Sequence, residues 1–174
     1  SEMAAAIGED EDAAEYAELS TAVREAFVEE FVADNGVVRG NSQAGYAMTL
    51  GMDMVADPAL RAKVAAKYVA KLADSDYHLT TGFLGTPWLL PALSSIGRDD
   101  LAYTMLTHTD YPSWGYEIEK GATTMWERWN SIMPDGSFGP VEMNSFNHYA
   151  YGAVGDWMYQ NIGGIAAVEA GYQV

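Results

Sequence analysis

A carboxylate set among indoles is the part of this sequence best suited to chemistry. Glu127 lies in Gly121-Ala-Thr-Thr-Met-Trp-Glu-Arg-Trp129, between Trp126 and Trp129 and beside Arg128. Indole rings stack on the apolar face of a sugar, and a nearby carboxylate can act on water or on the anomeric carbon. Glu127, Trp126 and Trp129 are therefore candidates for a glycosidase subsite. The same residues would also serve as a surface Glu–Arg pair beside two core indoles. Residue types alone do not choose between the two.

The histidines are the next candidates. His148 stands in Asn144-Ser-Phe-Asn-His-Tyr-Ala-Tyr151, at the expected start of a helix. There it could donate a hydrogen bond to a sugar hydroxyl or be a satisfied structural residue. His78 precedes Leu79-Thr-Thr-Gly-Phe-Leu-Gly-Thr86, which lacks the spacing of a phosphate loop and reads as a turn at the rim of a site. His108 ends a helical pattern, where a charged imidazole favours the helix dipole. The three histidines are scattered, and no His/Asp/Glu spacing suggests a metal site, so neither a metal nor another cofactor is expected. No serine sits in a nucleophile elbow. The absence of cysteine excludes disulfides, zinc–thiolate sites and a thiol nucleophile.

These residues need elements to hold them. Residues 121–142 show no helical period and are rich in Gly, Thr, Pro and Trp, so a long structured loop with room for a short hairpin is expected. Around it, apolar residues recur at three- and four-residue steps. Tyr16, Leu19, Val23, Phe27 and Phe31 predict a helix over 13–33, stopped at Asn35-Gly36. A second begins at Asn41-Ser42 and carries Ala44, Ala47, Met48 and Met54. A third has Asp57 as its cap, Pro58 in its first turn, and Leu60, Val64, Tyr68 and Leu72 inward. The fourth opens on Thr86-Pro87 and buries Leu89, Leu90 and Leu93, ending at Gly97. A fifth uses Leu101, Ala102, Met105 and Leu106, and a short sixth follows Pro112. The last carries Phe146, Tyr149, Ala150, Ala153, Val154 and Trp157.

The fold class is therefore all-α, as a hairpin solenoid or an α/α toroid. No fixed-period repeat favours a solenoid. A twelve-helix toroid needs roughly twice this length at ~12 residues per helix, which points to a partial one. The 174 residues suffice for one domain with a core. A net charge of −16 disfavours nucleic acid and anionic membranes as partners. Residues 1–34 hold 11 of the 25 carboxylates and one base, Arg24, as a solvated helix face would. No apolar run approaches the ~18 residues of a membrane span. No signal peptide is visible, and the compartment is left open with the cytoplasm favoured.

At this level of detail the chain resembles bacterial α-L-rhamnosidases of glycoside hydrolase family 78. The likeness rests on the Gly121–Trp129 run, Pro134-Asp-Gly136, and Met143-Asn-Ser-Phe-Asn-His-Tyr-Ala-Tyr-Gly-Ala-Val-Gly-Asp-Trp157. His78-Leu-Thr-Thr-Gly-Phe-Leu-Gly-Thr86 and Tyr111-Pro-Ser-Trp-Gly-Tyr116 add to it. The resemblance implies a partial (α/α)6 toroid, truncated on its N-terminal side, with residues 1–174 as the C-terminal portion of a catalytic barrel; the acidic composition of residues 1–12 predicts that they are disordered or frayed. The resemblance also implies hydrolysis of terminal α-L-rhamnosyl bonds with inversion, and so two carboxyl groups. Glu127 takes the general-base role, and His148 contacts the rhamnose of a rhamnose-containing glycoside. The general acid lies upstream in the family, and no segment here matches it, so the chain alone is expected to be inactive. Asn130 stands where Asp is usual, and His108 where Gln is expected. Family members usually continue into a β-domain, whereas this chain ends at Glu169-Ala-Gly-Tyr-Gln-Val174, so a piece of a longer protein is expected. Half a barrel would expose apolar helix faces, which makes a homodimer plausible. Another glycosidase on the same barrel, or a non-catalytic sugar- or protein-binding module, are the alternative readings.

Overall fold

The computed structural model describes residues 1–167. The stretch Glu169-Ala-Gly-Tyr-Gln-Val174 lies outside the described residues. Among the described residues eight α-helices run in chain order: α1 Glu2–Ala6, α2 Asp10–Phe31, α3 Gln43–Gly51, α4 Pro58–Ala73, α5 Thr86–Ser95, α6 Asp99–Thr107, α7 Trp114–Glu119 and α8 Val154–Trp157. Short 3-10 turns cover Val141–Met143 and Ala150–Ala153, and a π-turn follows α8 over Met158–Ile162. Among the described residues there is no extended sheet, only isolated antiparallel bridges at Val32–Val38 and Ile132–Phe138. Among the described residues no helix is long and apolar enough to cross a membrane.

Local chemistry sets most boundaries. Ser42, Asp57 and Ser113 each accept a hydrogen bond from the backbone N–H three residues on, capping α3, α4 and α7. Such a cap is worth ~1 kcal/mol, because it satisfies a helix-end donor that would otherwise lack a partner. Thr86 does not cap α5 as expected. It is the first helical residue, and its hydroxyl bonds back to the Gly82 carbonyl at 2.9 Å.

The core forms where α3 packs on α4 and α5, α5 on α6 and α8, and α6 on α7. Tyr46, Leu50, Val64, Tyr68, Leu72, Leu89, Leu93, Met105 and Trp157 are all buried in one cluster. Each such aliphatic chain contributes ~1.5–3 kcal/mol by leaving water. Helices α3 and α5 approach so closely that a Cβ on Gly85 would lie 2.5 Å from the Cβ of Ala44. The Tyr68 hydroxyl, buried at the centre, donates to the Leu89 carbonyl at 2.9 Å, which satisfies both polar atoms.

Two expectations change. The helix predicted from Phe146 onward begins only at Ala150, because the Phe146 carbonyl accepts the Thr124 hydroxyl and the His148 N–H donates to the Met125 carbonyl. The first long helix exists, but its stripe faces solvent: Tyr16, Leu19, Val23 and Phe31 are exposed. Near the C-terminal end of α2, Val28 packs against the core, as does Val32 just beyond the helix. Residues 1–12, expected to fray, are helical over Glu2–Ala6 and from Asp10 and bury nothing.

Candidate active site

The loop that carries Glu127 leaves α7 and is held from below by that helix. The Tyr116 hydroxyl donates to the Ile132 carbonyl at 2.8 Å, and Lys120 Nζ to that of Pro134 at 3.2 Å. Trp129 anchors the middle of the loop. Its indole lies flat on Tyr151 with centroids 3.9 Å apart, meets Trp114 edge-on, and donates Nε1–H to the Thr81 carbonyl at 2.8 Å. The loop is thereby tied to the α4–α5 connection and to the 3-10 turn before α8.

The chain then returns alongside itself. The His148 N–H donates to the Met125 carbonyl at 2.8 Å, and the Glu127 N–H to the Ser145 carbonyl at 2.9 Å. The two segments therefore run in opposite directions, which brings Glu127 and His148 to neighbouring positions from 21 residues apart in the sequence. The Ser145 N–H donates to Glu127 Oε2 at 2.8 Å. Oε1 has no hydrogen-bond partner among the described residues, and no ion pair joins Glu127 to Arg128. The carboxylate is half-buried, with one oxygen fixed and the other available.

His148 stacks on Phe83, with centroids 4.8 Å apart, and on Tyr149. Its Nδ1 accepts the Ala150 N–H at 3.3 Å. An acceptor Nδ1 leaves the hydrogen of the neutral ring on Nε2, so His148 can donate outward.

The tryptophans require a correction. Trp126 is 2% exposed and Trp129 8% exposed, so neither offers a ring face to a sugar. They act as packing residues on either side of Glu127 in the sequence, and the expected stacking platforms at these two positions are not presented by this chain. The burial of Trp126 against Phe146 and of Trp129 against Tyr151 and Trp114 is the physical reason.

Sequence reasoning missed Glu117. This α7 residue is only 3% exposed, while its neighbour Ile118 faces solvent. Glu117 Oε2 accepts the Trp126 N–H at 3.4 Å, and Oε1 is buried without a partner. Burial pushes the carboxyl up to about 7, far above the ordinary glutamate value. A signal was present, since Trp114 and Glu117 stand three apart and share a helix face. Ser145 and Phe83, which hold Glu127 and His148, lie in the runs that carry the family resemblance, but nothing in their residue types marked them as partners of these two side chains.

A second correction concerns the other histidines. The rings of His78 and His108 lie 4.4 Å apart, with Asp110 against both. They are scattered only along the chain. The α4–α5 and α6–α7 connections that carry them fold against each other.

The six-hairpin glycosidase domain of bacterial α-L-rhamnosidases matches residues 1–162. The chain belongs to this family. It is 55% identical over 171 residues to an α-L-rhamnosidase of Streptomyces avermitilis, which covers 98% of this chain and 16% of the relative. An α-L-rhamnosidase of Formosa agariphila is 43% identical over 170 residues, covering 97% of this chain and 18% of the relative. The chain thus spans under a fifth of the length of the curated relatives it matches. The crystal structure of the S. avermitilis α-L-rhamnosidase complexed with L-rhamnose superimposes with a TM-score of 0.92, over 98% of this chain and 16% of that one. That of the native Aspergillus terreus α-L-rhamnosidase, 36% identical, gives 0.92 over 97% of this chain and 20% of that one. The helical hairpins described above are accordingly part of the α/α toroid of the six-hairpin family, as the all-α reading expected.

Proposed function

We propose that the chain contributes to the catalytic domain of an inverting α-L-rhamnosidase, with Glu127 as the general base. The observation that carries this reading is the asymmetric hold on the carboxylate. Ser145 fixes Oε2, and Oε1 remains for a water molecule. An ionised Glu127 would draw a proton from that water as it attacks the anomeric carbon, while a second carboxyl group protonates the leaving oxygen from the opposite face. His148 would donate Nε2–H to a rhamnose hydroxyl, its ring fixed by Phe83 and its tautomer by Ala150. The rhamnose-bound structure of the S. avermitilis relative supports a rhamnosyl substrate. The 174 residues offer no assigned general acid and are proposed not to turn over alone.

The test is kinetic. In the enzyme that contains this chain, Glu127→Gln should lower kcat on an aryl α-L-rhamnoside by about 10²–10⁴ with KM nearly unchanged, as loss of a general base predicts. A kcat within a factor of a few of the parent would sink the assignment. Rhamnose release by the isolated chain that depends on Glu127 would overturn the claim that a second carboxyl group must come from elsewhere. The exposed stripe of α2 supports a homodimer through that face as an accompanying proposal, and light scattering that finds only monomer would exclude it.

A further inference from the structure

We propose that His78, His108 and Asp110 bind one divalent transition-metal ion of the zinc class, clamping the α4–α5 connection to the α6–α7 connection. One donor atom from each residue, two imidazole nitrogens and a carboxylate oxygen, falls within 4.8 Å of the others. Two imidazoles and a carboxylate form a borderline donor set that suits zinc better than calcium or magnesium. The spacing also fits. A tetrahedral ion with ligands at ~2.0–2.1 Å sets its donors about 3.3 Å apart. Here His78 Nε2 lies 3.0 Å from Asp110 Oδ2 and His108 Nδ1 3.3 Å from Asp110 Oδ1, so the imidazoles meet different oxygens of one carboxylate, and an ion would draw one donor from each residue inward from within 4.8 Å.

The tautomer of His78 strengthens the case. Its Nδ1 is 3.0 Å from the Ser75 carbonyl, which can only accept, so Nδ1 carries the hydrogen. In the neutral ring Nε2 is then a lone pair facing a carboxylate, and it lies there without meeting hydrogen-bond geometry. A ring N–H given to a backbone carbonyl is how proteins orient a metal-binding histidine. His108 Nδ1 faces the same carboxylate as a hydrogen-bond donor, 3.3 Å from Asp110 Oδ1, and its Nε2 is buried without a partner among the described residues. A dication would displace the Nδ1 proton and use both facing nitrogens at once.

The three donors are also held in place before any ion arrives. The buried Gln43 side chain donates to the His78 carbonyl at 2.8 Å and accepts the Thr80 N–H at 3.0 Å. The His108 carbonyl lies under α7, so close that a Cβ on Gly115 would come within 2.2 Å of it. The Asp110 carbonyl accepts the Ser113 hydroxyl at 2.7 Å. Asp110 is exposed, which leaves the ion a path from solvent. The ion would stiffen the same α4–α5 connection whose Thr81 carbonyl receives Trp129.

The experiment is a calorimetric titration of zinc chloride into the chelator-treated 174-residue chain at neutral pH, paralleled by cobalt(II) absorption. One ion per chain with a Kd of about 1 μM or tighter, and the visible bands of four-coordinate cobalt, is the expected result. Asp110→Asn should weaken binding at least tenfold, and so should His108→Gln, whereas His148→Gln should not change it. Asp110 is on the surface, so its variant tests the site even if His108→Gln fails to fold. Binding weaker than about 1 mM would overturn the proposal. So would undiminished affinity in Asp110→Asn, or equal competition by calcium, which would assign the ion to surface carboxylates.

Discussion

Helices α2 and α4 carry the same kind of apolar stripe at three- and four-residue steps, and they meet opposite fates. In α4, Val64, Tyr68 and Leu72 are fully buried against the core. In α2, Leu19 is 57% exposed and Val23 and Tyr16 lie open beside it. Their ends differ as well. Asp57 caps α4 through a 2.6 Å bond to the Leu60 N–H, while Glu9 at the start of α2 makes no side-chain cap bond. Periodicity states which face of a helix is apolar. It does not state whether anything in the chain reaches that face.

The contrast can be broken at its strongest point first. Leu72→Ala should cost about 2–5 kcal/mol, because its site is closed on all sides and cannot collapse fully. Chemical denaturation that finds less than ~1 kcal/mol would mean α4 is no more committed to the core than α2.

Next comes a carboxyl set against the solvated ones of α2. Glu117 titrates near 7 in the fold and near its ordinary 4.5 when unfolded. Below 4.5 both states hold the proton. Between 4.5 and 7 the unfolded chain gives it up first, so this group's contribution to stability is lost as pH rises through that window. The total reaches roughly 3 kcal/mol at most. Glu117→Gln should remove this slope and stabilise the chain most at pH 8, since the amide oxygen can still accept the Trp126 N–H. Parallel stability curves for parent and variant between pH 5 and 8 would show that the site's buried carboxyl is not protonated by the fold.

Two smaller effects sharpen the comparison. Asp57→Ala should cost ~1 kcal/mol, and Glu9→Ala almost nothing, in matched thermal melts. Leu19→Ala should stay within about 0.5 kcal/mol, because its side chain already lies in water. A loss of several kcal/mol at Leu19 in a monomeric sample would show that α2 has a partner surface within this chain.

The same division runs through the site. The run around Glu127 and the position of His148 were legible, because unusual residue types cluster there within a few positions. The inward turn of Trp126 and Trp129 was not. An indole serves a core and a sugar platform equally well, and only Tyr151, Trp114 and Phe146 arriving from elsewhere decided between them. Glu117 carried no expectation from the sequence, and the fold buried it while leaving its neighbour Ile118 in solvent.

What the sequence alone determined was local. The caps at Ser42, Asp57 and Ser113, the proline near the start of α4, and the aperiodic stretch after α7 all act within a few residues of themselves. What only the tertiary structure decided were meetings across long separations: Ser145 on Glu127, Phe83 on His148, and His78 with His108 and Asp110. Backbone hydrogen bonding and capping are written into neighbouring residues. Which side chains share a volume depends on the path of the whole chain, and short-range pattern does not encode that path.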